Sequence, residues 1–247
     1  MKPALLLLLF LCLFTFTAEA QRRPAARTPQ PAEVGKTAVV MDETISVLRD
    51  RPSLFANAVQ RMRRGRVVKI LGVAEADGVR FFRVSAMPPA AGWVQADAVF
   101  GKFRSEDEDR FVRLIQAASG FPQVELATHF LKLYPDSRFR PAVLLLYGDL
   151  LEDVASRLSR DANNRLDRRE MAASGAPVHS YFLNFVSLDR YRRLGIRFVF
   201  NSSTRLFHYD GASWSEVVSK HAASQESAEA QKRLDALKEK MERTATR

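Results

Sequence analysis

The chain has 247 residues, 47% hydrophobic and 27% charged, and a formal charge of +10. That length suffices for one large or two small domains. A single cysteine, Cys12, excludes an internal disulfide and any site built on several cysteine ligands.

Met1-Lys2 supplies a short positive start, residues 4–17 form an almost unbroken apolar run, and Ala18-Glu19-Ala20 is a small-x-small site before Gln21. Residues 1–20 therefore read as a cleaved signal peptide, and the chain as exported to a periplasmic or extracellular destination. The run is short for a span, which takes about 20 residues. Cys12 follows Leu11, where a lipoprotein signal requires a small residue. Lys2 and Glu19 cancel, so the mature chain keeps the full +10. On an exported protein that charge points away from nucleic acid and toward an anionic envelope: lipid headgroups, wall polymers or an acidic protein. Residues 21–35, "QRRPAARTPQPAEVG", carry three prolines and three arginines and predict a disordered basic linker.

From 36 to 102 the pattern is all-β. Short runs at 38–41, 45–48, 66–71, 80–84 and 92–94 alternate with turn signals, among them Gly65, Gly72 and Asp77-Gly78. "VLRDRPS", "RMRRGRVVKILG", "DGVRFFRV" and "GWVQADAV" stand in the order that resembles a bacterial Src-homology-3-like domain. The resemblance implies a small β-barrel that binds envelope components or proteins. Phe81-Phe82 departs from the family's usual tryptophan or tyrosine, and residues 87–91 lengthen the loop before Gly92-Trp93.

Residues 105–243 read as mainly helical. Phe111, Leu114 and Ile115 have amphipathic spacing, and Tyr134-Pro135-Asp136-Ser137 breaks one helix and opens another near Arg138. This join resembles those between tetratricopeptide-like units, with a fainter echo at 217–224. Residues 161–177 predict a mobile polar loop, and 196–210 an inserted β-hairpin around Asn201-Ser202-Ser203. A terminal helix over 225–243 places Ala228, Leu234 and Leu237 on one face. The fold class expected is thus α+β multidomain: an Src-homology-3-like β-barrel, then a tetratricopeptide-like helical domain carrying a hairpin.

Candidate chemistry is sparse. "RMRRGRVVKI" at 61–70 concentrates five cations; period two sends Arg66, Val68 and Ile70 to one face and Val67, Lys69 and Leu71 to the other. Arg63, Arg64 and Arg66 then line an exposed turn, with Val59 and Met62 facing inward. With Arg49, Arg51 and Arg22-Arg23, they would form a basic rim for an anionic surface; a solvated turn accounts for the same residues. His129 sits on an apolar helix face as a structural residue, and His179 and His221 lack partners at metal-binding spacing. His208-Tyr209-Asp210, near Ser202, Ser203 and Ser213, is the one cluster that could host a nucleophile, but no elbow exposes a serine. Asp161, Asn163, Asp167 and Glu170 fail as a calcium loop, because Leu166 and Ala172 occupy the positions of its glycine and glutamate. Phe81, Phe82 and Trp93 fall where small barrels line grooves; core packing is the better reading for most of the aromatics, with Trp93 the foremost candidate contact.

These readings converge on a non-enzymatic envelope adaptor with no cofactor, binding an envelope protein or anionic wall polymer. The contact residues expected are Arg61, Arg63, Arg64, Arg66 and Trp93. The rivals are an envelope hydrolase or wall-remodelling accessory with a site in 161–210, and a protein held electrostatically at an anionic membrane.

Overall fold

The computed structural model describes residues 30–86 and 90–242. The signal peptide expected at 1–20, most of the linker expected at 21–35 and residues 87–89 lie outside the described residues.

The fold is α+β. Seven strands, β1 (Thr37–Val40), β2 (Val47–Arg49), β3 (Ala58–Arg61), β4 (Val67–Ala76), β5 (Val79–Ala86), β6 (Ala90–Gln95) and β7 (Val99–Phe100), form one curled antiparallel sheet in the order β3-β2-β6-β5-β4-β1-β7. Alternation fixes its faces. Val68, Ile70, Phe82, Val84 and Val94 are buried with Ala38, Val40, Leu48 and Met62 in one core, while Val67, Lys69 and Leu71 face outward. A bulge between Ile70 and Gly72 then shifts the parity, so that Val73 rejoins that core. Asp77 and Gly78, at φ 54° and 71°, make the two-residue turn between β4 and β5. The Asp77 carboxylate also accepts from Ser53 Oγ at 2.7 Å and Leu54 N at 2.8 Å, pinning the loop after β2.

One expectation is corrected by the same period. Val59 and Met62 are three residues apart, and only Met62 turns inward; Val59 stays 54% exposed on the edge strand β3. Phe81 and Phe82 are adjacent and so point to opposite sides, yet both are fully buried. Neither ring lines an open groove.

The helices follow: α1 (Asp107–Ala117), α2 (Phe121–Leu133), α3 (Arg140–Arg165), α4 (Arg168–Ser174), α5 (Val178–Leu183) and α6 (Asp189–Arg192); then strands β8 (Phe198–Asn201) and β9 (Leu206–Tyr209); then α7 (Ala212–Lys220) and α8 (Ser227–Glu242). Asp107, Glu108 and Asp109 place negative charge in the first turn of α1. Pro122 and Pro141 fit the first turns of α2 and α3, where a missing N–H costs nothing. At the break between them, Ser137 Oγ accepts from Phe139 N at 3.1 Å and donates to Glu108 at 2.7 Å. Helices α1 to α3 pack in sequence, α3 against β9 and α7, and α7 against α8.

Helix α3 overruns the loop expected at 161–177. Its late polar residues serve the hairpin: Ser159 Oγ accepts from Phe207 N at 2.7 Å and Asn163 Nδ2 donates to Arg205 O at 3.0 Å. Higher on the same face, Glu152 accepts from Tyr209 N at 2.9 Å. These side chains satisfy the edge of β9, so the polar positions stabilise helix and hairpin together. In α8 the residue that buries is Ala230, with Leu234 and Leu237 against the same core, whereas Ala228 is exposed.

The sheet and helices share a further core. Met41 and Phe100 pack with Phe111, Ile115, Leu126, Phe130 and Tyr134, with Phe100 and Phe111 ring centroids 4.9 Å apart. This core runs through the boundary expected at 102–105. Among the described residues, no helix is long and apolar enough to cross a membrane.

Candidate functional site

The outward rows of the sheet gather the candidate site. Register places Thr37 opposite Lys69, Lys69 opposite Ser85, and Ser85 opposite Ala91. A neighbouring row sets Trp93 between Arg49 and Arg83. Val67 and Leu71 add apolar surface at 54% and 44% exposure. Where β4, β5 and β6 end beside the Gly65 turn, an open depression of about 1000 Å³ is lined by Arg66, Val67, Lys69, Ser85, Ala90 and Ala91, among others. Small side chains in β5 and β6 leave this space open, and Lys69 and Arg66 bring positive charge to it. The side chains of Arg63, Lys69 and Arg83 have no hydrogen-bond or ion-pair partner among the described residues. Trp93 offers a flat face with the Arg83 donors beside it, suited to anionic or planar groups, while Arg49 on its other side is tied to Ala56 O at 2.7 Å.

The five expected contact residues divide. Arg66 lines the depression, Arg63 is exposed beside it, and Trp93 is half-buried with its side chain outward, since Val94 enters the core. Arg61 is committed to structure: its guanidinium donates to Glu43 O at 2.6 Å and Thr44 O at 2.8 Å. Arg64 is not on a solvated rim. It forms an ion pair with Glu125 of α2 at 2.7 Å and donates from Nε to Met41 O at 2.9 Å. Gly65, at φ 81°, leaves room for the His129 ring, which lies 2.6 Å from where a β-carbon would stand. Burial pushes His129 below its ordinary value of 6.5, with Glu125 opposing and Lys132 and Arg64 adding to the depression. The turn is thus half docking joint and half open rim. The sequence signal for the joint was Gly65 within a charged run, read there only as a turn.

The His208-Tyr209-Asp210 cluster bonds to α3 and to its own turn, while His208 Nε2 and Ser213 Oγ have no hydrogen-bond partner among the described residues. His208 Nδ1 lies 3.2 Å from Glu152 Oε1, Asp210 accepts from Ala212 N at 3.0 Å, and Ser213 N donates to the Tyr209 hydroxyl at 2.7 Å. No hydrogen bond joins His208 to a serine among the described residues. Asp161 and Asn163 belong to α3, while Asp167 caps α4 by accepting from Arg169 N and Glu170 N. Among the described residues, no three His, Cys, Asp or Glu side chains gather to hold a metal ion.

No protein-family model matches the chain, and neither curated proteins nor solved structures give a significant match.

Proposed function

We propose that the protein is a non-catalytic binding protein of the bacterial cell envelope, an Src-homology-3-like sheet unit followed by a tetratricopeptide-like helical unit. It holds an acidic envelope protein or anionic wall polymer on the outer face of the sheet. The observation that carries this reading is the pair of cross-strand rows around Lys69 and Trp93, where Lys69 and Arg83, without a side-chain partner among the described residues, flank exposed apolar surface. Such a face supplies attraction through charge and area through Trp93, Val67 and Leu71. The export signal expected at 1–20 and the formal charge of +10 are what favour an envelope partner.

The charges give the test. Changing Arg63, Lys69 and Arg83 together to glutamine should weaken retention on a lipid-extracted envelope fraction by one to two orders of magnitude at low salt, from roughly 1 kcal/mol per cation. Raising ionic strength from about 0.01 M to about 1 M shortens the screening length from roughly 30 Å to 3 Å and should release the wild type. The melting temperature should hardly change, since exposed substitutions alter stability by under about 0.5 kcal/mol each. Retention indifferent to both the substitutions and salt would reject the reading.

A further inference from the structure

The helical part carries a separate concentration of charge. Between residues 157 and 205 stand ten arginines and no lysine against four carboxylates, a formal +6. Nine of those arginines are exposed, all but Arg205. Among the described residues, only Arg192 pairs with a carboxylate, Asp189, at 3.3 Å.

Apolar side chains stand among them. A cleft of about 470 Å³ brings Arg165, at the end of α3, together with Arg190 and Arg193, with Asp161 and Asp189, around Val186. Val186 is 70% exposed, and Leu183 and Val178 in the preceding helix are 39% and 42% exposed. Arg192 donates to the Leu183 carbonyl, which sets its guanidinium beside that residue. Arg190 lies over the rings of Phe121 at 5.1 Å and Tyr191 at 4.8 Å and is held in place by them.

The chemistry of the two groups selects the partner. A guanidinium presents a planar fork of donors that matches phosphate oxygens and sheds water more readily than an ammonium. Short apolar tips exposed beside cations gain by entering the boundary between headgroups and acyl chains, while the cations stay with the headgroups. An acidic protein would use the arginines, but these separate tips form no apolar pocket for an anchoring side chain.

We propose that this surface, centred on Arg165, Arg190, Arg193 and Val186, docks the protein on an anionic phospholipid bilayer. It is separate from the outer face of the sheet, and the sheet's partner has no part in it.

Co-sedimentation with vesicles tests it, using the chain from Gln21 onward, which retains every described residue. At about 0.15 M salt, vesicles of phosphatidylglycerol and phosphatidylcholine should bind the protein, and phosphatidylcholine alone should not. R165Q/R193Q should lower the partition coefficient about thirtyfold, from roughly fivefold per cation. R63Q/K69Q/R83Q should leave it within about twofold, because charges beyond the screening length of about 8 Å contribute little. Both sets of positions are exposed, and unchanged circular dichroism and melting would show the variants folded. A V186W variant reports insertion: its emission should shift to the blue on anionic vesicles and be quenched by brominated acyl chains more than that of the parent chain. Three results would overturn the proposal: a wild type that stays in the supernatant, equal binding by R165Q/R193Q, or vesicle binding without any added shift in V186W. The last would mark a contact with polyanions in general.

Discussion

Asp107→Ala is expected to lower stability by about 3–5 kcal/mol, because it strands charges at the joint between sheet and helices. Asp107 is fully buried. It accepts from Gly101 N at 2.9 Å and Arg104 Nε at 3.0 Å, and pairs with Arg110 at 3.0 Å. Arg104 in turn donates to Ala96 O at 3.2 Å and to Val99 O, so the carboxylate organises the end of the sheet as well as the start of α1. Burial pushes the Asp107 carboxyl above its ordinary value, and Arg104, the Gly101 N–H and Arg110 only partly pull it back. The cluster as a whole therefore sits near break-even, and the cost lies in breaking it. At 2–4 °C per kcal/mol for a chain of this size, the melting temperature should fall by roughly 10 °C. Asp97→Ala is the internal comparison. Asp97 also pairs with Arg110, at 2.9 Å, but is 65% exposed in its side chain, so its loss should cost under about 1 kcal/mol. Thermal unfolding of the two variants side by side checks the argument, and equal losses would refute it.

The second large effect is expected at Glu152, and it depends on pH. Burial alone would raise this carboxyl. Hydrogen bonds from His208, Lys240 and the Tyr209 N–H outweigh it and bring the group down to about 2. A carboxylate depressed in the folded state stabilises fully above its unfolded value of about 4.5 and loses that contribution as the pH falls toward about 2. The gap is worth roughly 3 kcal/mol. Glu152→Gln should therefore lower stability near pH 7 by about 2–3 kcal/mol and flatten its fall between pH 4.5 and 2. Glu152→Ala should cost somewhat more, since it also leaves the Tyr209 N–H unpaired. Lys240 of α8 bonds to Glu152 at 2.8 Å, so both variants should loosen the terminal helix first, visible as faster amide exchange there. Denaturant titrations from pH 2 to 8 would show a parallel acid limb in wild type and Glu152→Gln if the account is mistaken.

Much of the sheet was readable because its signals are local. Asp77-Gly78 names its own turn, and period two separates Val68 and Ile70 from Val67, Lys69 and Leu71 with no tertiary information. The helix break at 134–137 is equally local. Misreadings came where distant partners decide. Asn163 looks like a loop or failed metal-loop residue until the hairpin arrives and the Arg205 carbonyl takes its hydrogen bond. Arg64 looks like one more solvated cation in a basic run, but Glu125, 61 residues away, draws it into the joint. The candidate face was half legible: Trp93 and the cations around Gly65 were visible, whereas Lys69 and Arg83 became part of it only through the strand register. The arginine surface near Val186 escaped notice because its members span three helices and the segments between them, with no short run to mark it.

The claim that the outer face of the sheet holds the partner is tested most directly by photo-crosslinking from that face. A benzophenone-bearing amino acid would replace Val67 in one chain and Val199, 41% exposed on the hairpin, in another. Each would be irradiated with a lipid-extracted envelope fraction. The account predicts an adduct from position 67 that disappears in about 1 M salt, where the screening length is roughly 3 Å, and in the R63Q/K69Q/R83Q background, with no adduct from position 199. Adducts from both positions alike, or from position 199 alone, would contradict it.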